Sequence, residues 1–369
     1  MSGRPPLPLG QVIILGFDGT KMSSRLRSLL TSVQPAGVIL FARNIVTAQQ
    51  THALLQDCQS CVATPLFTCV DMEGGTVDRF RDVLGNAPAA ADVFATRHKK
   101  LFRKHGKIIG DSCRALGFNT DFAPVVDLAF EASRKVMSSR SVSDNPAEVT
   151  AYAREFLSGL KSADVLGALK HFPGLGEAML DTHDELPRVD KPWRKLWAED
   201  LAPYRALRRA APMVMVSHAA YPAVTREVTP ASLSRKWITQ VLRRKVGYRG
   251  LVVSDDLEMG GVLKAGSVEN AAVGHIRAGG DLCLICHVEE HVVKSYEALQ
   301  HACADLNFAR RCQESIRRVL TFKKKHREFR KQAAPTQERI QRLSRQLWEF
   351  SEQVRLEAIK RDIARQAHA

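Results

Sequence analysis

The chain has 369 residues, of which 45% are hydrophobic and 25% charged. These are ordinary globular proportions with ample material for a large core, arranged as one big α/β domain or two small ones. No apolar run is long enough to span a bilayer, which excludes a transmembrane helix. The net charge is +15, and residues 301–369 hold 17 Lys+Arg against 8 Asp+Glu. No basic motif interleaved with aromatic residues accompanies that excess, so it is read as a solvated face and nucleic acid is not an expected partner.

Residues 1–9 contain one arginine and three prolines, and the apolar stretch 12–17 is too short for a secretory segment and lacks a small-residue cleavage site. A cytoplasmic location is expected. Apolar runs at 12–17, 37–41, 66–71, 120–124, 167–171, 213–218, 251–255 and 281–286 predict strands. Amphipathic stretches at 22–33, 99–116, 146–161, 196–209, 232–246 and 267–278 predict helices between them. Eight strands alternating with helices fit a single-domain (β/α)8 TIM-type barrel or a long doubly wound sheet. The barrel is favoured because polar residues stand at or just past several strand ends: Arg43, Asp71, His171, His218, Asp255 and His287. A barrel gathers catalytic groups on that face, whereas a doubly wound sheet concentrates them at one switch point.

Cys58 and Cys61, like Cys283 and Cys286, have the spacing of zinc or redox pairs. In a strand, however, residues three apart face opposite sides, so buried free thiols in a reducing compartment are the preferred reading. No His-x-x-x-His or similar ligand spacing occurs, and neither a metal nor another cofactor is predicted. Beyond a basic run at 323–327 and Pro335, the residues Ile340, Leu343, Leu347, Phe350 and Val354 repeat at three- and four-residue steps. They form an amphipathic helical seam expected to lie across the outside of the barrel. A seam of only about two heptads predicts a monomer or weak dimer. The expected layout is a barrel over 1–330 and a basic helical extension over 331–369.

Two segments carry the chemistry. An apolar run from Val165 to Leu169 ends on Lys170 and His171, Pro173 stops the strand, and Gly174 and Gly176 lead into a loop holding Asp181 and His183. A strand that ends in charged groups and opens into a loop with an Asp/His pair has the makings of half an active site. The second segment, Gly250 to Asp256, is an apolar, β-branched run ending in two carboxylates. Ser254 or Asp255 could simply cap a helix, but paired with the first segment the run reads as catalytic.

At these residues the chain resembles glycoside hydrolase family 3, and most of all its single-domain bacterial β-N-acetylglucosaminidases of cell-wall recycling. The resemblance runs from about Val12 to Lys325. It is carried by Val70 to Gly75 with Val77 to Phe80, by Gly117 to Asp127, by Ser139 to Ser141 with Asp144 and Pro146, by Lys170 to Gly174 with Asp181 and His183, by Gly250 to Asp255, and by Ala278 to Asp281. The resemblance implies that Asp255 is the nucleophile, His183 the general acid/base and Asp181 its orienting partner. It further implies that Asp71, Arg79, Arg140, Lys170 and His171 hold the sugar. Met72, Thr76 and Leu175 depart from the family pattern, at positions expected to bear on the shape of the sugar pocket.

The implied reaction is retaining hydrolysis of terminal N-acetyl-β-glucosaminides, with muropeptides among the candidate substrates. Asp255 would form a covalent glycosyl-enzyme, and the imidazole would replace the usual carboxylic acid because its ordinary pKa of ~6.5 already lies near working pH. Two alternatives use the same scaffold: a phosphorylase, since a neutral imidazole repels phosphate less than a carboxylate does, and a barrel that binds sugar after losing catalysis. Several residues also have plain structural readings. His171 could be a core histidine, Arg140 and Lys170 ion-pair partners of Asp121 or Asp127, His218 a positioned strand-end residue, and Glu73 a support of the Gly74–Gly75 turn.

Overall fold

The computed structural model describes residues 7–178, 186–264 and 266–366. Eight strands, β1 (Ile13–Leu15), β2 (Gly37–Ile39), β3 (Phe67–Val70), β4 (Thr120–Asp121), β5 (Leu166–Phe172), β6 (Met213–Val216), β7 (Leu251–Asp256) and β8 (Leu282–Ile285), form a closed parallel barrel in chain order. Closure is made by β1 on β8, with Ile14 opposite Leu284. The strands are mostly apolar up to their C-terminal ends because each is covered on both faces, by the barrel lumen within and by helices without.

Side chains alternate across each strand, and this alternation aims the functional residues. Phe67 and Cys69, Leu166 and Ala168, Met213 and Met215, Leu251 and Val253, and Leu282 and Leu284 pack into one central cluster, the filling of the lumen. Val70, Val252, Cys283 and Ile285 belong to the two outer clusters beneath the helices. The next inward step along β3, β5 and β7 falls on Asp71, Lys170 and Asp255 in turn. The same rule separates Cys283, in an outer cluster, from Cys286 in the lumen. None of the eight cysteines is in a disulfide.

The helices Lys99–Leu116 and Pro146–Ser162 cross closely because glycines meet there. A Cβ on Gly106 would stand 2.1 Å from the Phe156 carbonyl oxygen, and one on Gly159 would stand 2.3 Å from that of Arg103. The helix predicted over 196–209 is two, Trp193–Ala198 and Leu201–Leu207. It breaks at Glu199, whose backbone leaves the helical path, and there Glu199 and Asp200 hold the buried ammonium of Lys191, at 2.5 and 2.7 Å. The helix predicted over 232–246 is a short 3-10 turn, Ala231–Leu233, followed by a π-helix, Lys236–Lys245, that buries Trp237, Ile238, Val241 and Leu242.

At the N-terminal end of the barrel, Lys323 reaches in from the helix Leu306–Lys325, donating to Gln11 Oε1 at 3.0 Å and to the Ala36 carbonyl at 2.8 Å. Burial pushes its pKa down to about 7. The last helix, Gln337–Gln366, lies on the barrel's outer helices with Ile340, Leu343, Leu347, Phe350 and Val354 buried. Phe350 stacks at 5.8 Å from the His105 ring, and Ser351 donates to the Asn86 carbonyl at 3.1 Å. Among the described residues no helix is long and apolar enough to cross a membrane.

Candidate active site

At the C-terminal rim of the barrel a cleft of about 240 Å3 is lined by Asp71, Glu73, Arg79, Arg140, Lys170, His171, Asp255, Asp256 and His287, with Leu175 among its apolar walls. Six residues singled out in the sequence, Asp71, Arg79, Arg140, Lys170, His171 and Asp255, thus meet in one cavity from four separate parts of the chain. Asp181 and His183 lie outside the described residues.

The cleft is held by matched charges. Lys170, only 2% exposed, places its ammonium 2.7 Å from Asp71 Oδ1 and 2.6 Å from Glu73 Oε1. Arg140 grips both oxygens of Glu73, through Nε and Nη2 at 2.8 Å each, the planar fork that suits a carboxylate. Glu73 therefore bridges the two cations and does more than support the glycine turn, and the partners of Arg140 and Lys170 are Glu73 and Asp71, not Asp121 or Asp127. Burial alone would raise the Glu73 carboxyl, but Arg140 and Lys170 outweigh it and hold the group below the usual range. Asp121 accepts the Met72 N–H at 2.9 Å, and burial pushes its carboxyl well above the usual range.

His171 is fixed by Asp127 rather than by backbone. Its Nδ1 lies 2.6 Å from Asp127 Oδ2, and the Asp127 carboxylate also accepts the N–H groups of His171 and Leu175 at 3.1 and 2.8 Å. This bond puts the proton on Nδ1 and leaves Nε2 facing Arg140 Nη2 at 3.5 Å. The chain then turns at Gly174 with φ +135°, where a Cβ would stand 2.7 Å from that of Asp200. Tyr221 donates to the Gly174 carbonyl at 2.7 Å, and Lys191 reaches Glu177 at 3.3 Å, so both flanks of the loop carrying Asp181 and His183 are anchored.

Asp255 is left free by comparison. Among the described residues its carboxylate accepts one hydrogen bond, from the Asp256 N–H to Oδ1 at 2.9 Å. Burial would raise it, but His171 and His218, the Asp256 N–H and Lys170 together hold it below the ordinary value, as the carboxylate anion. His218 stands at the end of β6 as a positioning residue. Its Nε2 donates to the Asp256 carbonyl at 2.8 Å and its Nδ1 faces Ser232 Oγ at 2.7 Å, while burial lowers its pKa. His287 pairs with Asp256 at 3.1 Å and stacks on Phe41, with ring centroids 5.4 Å apart. The buried Nε of Arg79 has no partner among the described residues, and its guanidinium lies 5.7 Å from the Phe41 ring centroid.

Sequence reasoning missed Glu73, Asp127 and Asp256 as members of this network. In the sequence Asp127 reads as an ion-pair partner of Arg140 or Lys170, whereas its partners are His171 and the Leu175 N–H, more than forty residues away. Of the three departures from the family pattern, only Leu175 faces the cleft. Met72 is buried in the outer core and Thr76 is exposed on the turn. No group of three His, Cys, Asp or Glu among the described residues is placed to hold a metal.

A closed parallel barrel with paired charges and a free carboxylate at its C-terminal rim is the build of an α/β-barrel enzyme. The chain belongs to glycoside hydrolase family 3: residues 8–322 match the family described as Glycosyl hydrolase family 3 N terminal domain. A protein of Xanthomonas oryzae pv. oryzae named beta-hexosaminidase is 36% identical over 297 residues, which cover 78% of this chain and 87% of the relative. A family 3 β-N-acetylglucosaminidase from Paenibacillus sp. str. FPU-7 superposes with a TM-score of 0.87 at 31% identity, covering 94% of this chain and 69% of the other. A β-N-acetylhexosaminidase from Beutenbergia cavernae gives a TM-score of 0.79 at 25% identity, with coverage of 86% and 97%.

Proposed function

We propose that the chain is a retaining exo-β-N-acetylhexosaminidase that releases terminal N-acetyl-β-glucosaminyl residues, with Asp255 as nucleophile. The observation that carries this reading is the contrast within the cleft: Lys170 and Arg140 are paired with carboxylates, while Asp255 is held as an anion with one oxygen free of any hydrogen bond among the described residues. An anionic oxygen at a rigid strand end suits attack on an anomeric carbon. The names of the family 3 relatives support N-acetylglucosaminides as the substrate class.

In the first step a bond forms between an Asp255 oxygen and the anomeric carbon while the bond to the leaving oxygen breaks. That oxygen takes its proton from the imidazolium of His183, which Asp181 orients. Water then attacks the same carbon, gives its proton to His183, and releases Asp255 and the free sugar. Asp71, Lys170, Arg140, Arg79 and His171 hold the sugar hydroxyls and acetamido group. Leu175 at the cleft wall lies eight residues before His183, so the loop bearing the acid leaves directly from the site. We take 1–330 as the catalytic barrel and 331–369 as an appended helix, acting in the cytoplasm on cell-wall fragments.

The test is hydrolysis of an aryl N-acetyl-β-glucosaminide beside its glucoside, by wild type, Asp255→Ala and His183→Ala. Expected outcomes are a preference for the N-acetylated substrate and loss of roughly 10^4-fold in Asp255→Ala. His183→Ala should slow an unactivated disaccharide far more than the aryl glycoside; equal losses on both would contradict its acid role. The unpaired Arg79 favours one check on the phosphorylase alternative: sugar 1-phosphate formed in phosphate buffer would replace hydrolysis with phosphorolysis.

A further inference from the structure

The end of the barrel opposite the cleft carries a second concavity, of about 630 Å3, beneath the starts of β7 and β8. Seven arginines line it against a single glutamate, Glu314. The inner three, Arg243, Arg311 and Arg318, all reach one fully buried carboxylate, Asp281. Asp281 also accepts the Val252 N–H at 3.0 Å, so this cluster is built into the barrel itself. One carboxylate does not neutralise three guanidinium groups, and Arg311 turns partly to Glu314. Burial, with Arg318 beside it, holds the Arg311 guanidinium below the usual arginine range. The buried Nε of Arg243 has no partner among the described residues.

The outer four, Arg235, Arg244, Arg249 and Arg277, are exposed. None has a carboxylate partner among the described residues, and Arg277 lies over the Phe308 ring at 5.4 Å. A convergent excess of positive charge around a concave surface raises the local concentration of anions. The choice of arginine over lysine matters: among the described residues no lysine lines this concavity, and the planar fork binds phosphate oxygens in pairs where an ammonium offers a point charge. Among the described residues no aromatic ring lines it to stack a base, and no large apolar side chain lines it to enter a lipid layer.

We propose that this concavity binds a compact anion carrying two or more phosphate groups, clamped by Arg235, Arg244 and Arg249 over the Arg243–Arg311–Arg318 base. The site is separate from the catalytic cleft, since Arg249 and Asp281 stand just before the strands whose far ends lead to Asp255 and Cys286.

The test is calorimetric titration of the full-length protein with inorganic tripolyphosphate at about 150 mM salt, where surface charges alone are largely screened. Saturable binding is expected, weakened roughly tenfold or more in Arg244→Ser/Arg249→Ser, which removes two forks. Arg244→Lys/Arg249→Lys, which keeps the charge but loses the fork, should fall between. Lys99→Ser/Lys100→Ser removes the same charge from an exposed helix end elsewhere and should leave binding unchanged. Circular dichroism confirms that each variant is folded before titration. Absence of binding by the wild type, or equal weakening by the two serine pairs, would overturn the site. Tighter binding of a single-stranded oligonucleotide or of anionic vesicles, lost with Arg244 and Arg249, would overturn the compact ligand in favour of a polymer or a membrane.

Discussion

At the C-terminal rim Lys170 has Asp71 and Glu73, Arg140 has both oxygens of Glu73, and His171 has Asp127; at the N-terminal end three arginines share Asp281 and four more have no carboxylate among the described residues. Matched pairs fix positions. With Lys170, Arg140 and His171 held in place, the Asp255 carboxylate and the Arg79 guanidinium are the rim groups with least of their bonding capacity already used among the described residues. An unmatched cluster fixes a potential instead, and its spare capacity is the property of the whole group. One fold thus uses charge in two ways, with β7 running between them.

The strongest way to break this comparison is to remove the one buried carboxylate that all three inner arginines share. Asp281→Asn leaves Arg243 with no carboxylate partner among the described residues and Arg311 and Arg318 with only the exposed Glu314, and a loss of about 4 kcal/mol is expected in denaturant unfolding. A loss below about 1 kcal/mol would mean that the cluster is solvated and not built into the barrel. Glu73→Gln removes the bridge at the rim, where Asp71 still serves Lys170, so a smaller loss of about 3 kcal/mol is expected. Hydrolysis should fall with it as Arg140 and Lys170 lose their positions; unchanged kinetics would contradict the positioning role.

Both carboxylates also predict an acid limb. Burial works against them, but Arg140 and Lys170 hold Glu73, and Arg243, Arg318 and Arg311 hold Asp281, below the ordinary carboxylate range. The unfolded chain therefore binds protons first, and the stability they contribute is present at neutral pH and lost as pH falls below about 5. Glu73→Gln should flatten that limb. The smallest effect belongs to Lys323, pushed down to about 7 by burial. Its folded pKa lies below the unfolded one, so its cost is full below pH 7 and disappears as pH rises toward the ordinary lysine value. Stability should gain about 1–2 kcal/mol from this group between pH 7 and 9, and Lys323→Met should remove the gain.

The barrel was legible because its signal is local. Each strand is a short apolar run, and period-2 alternation carries Phe67 and Cys69 to Asp71, and Leu251 and Val253 to Asp255. Pro173 marked the end of β5 at Phe172 for a local reason too, its missing N–H. The pairing of charges was not legible, because Glu73 meets Arg140 sixty-seven residues away and His171 meets Asp127 forty-four residues away. Amphipathic periodicity over 196–209 also hid the break at Glu199–Asp200, since the cause is Lys191, a tertiary partner outside the helix. The basic excess of the chain read as a solvated face; its convergence around Asp281 depends on three segments that meet only in the fold.

The role of Asp255 is open to one direct measurement. Enzyme quenched with acid during turnover of an activated aryl N-acetyl-β-glucosaminide is digested and examined by mass spectrometry. The predicted result is a peptide spanning 251–256 heavier by one N-acetylhexosaminyl group, with the modification on Asp255 and absent from Asp255→Ala. A sugar attached to another residue, or active enzyme that never carries one, would contradict the assignment.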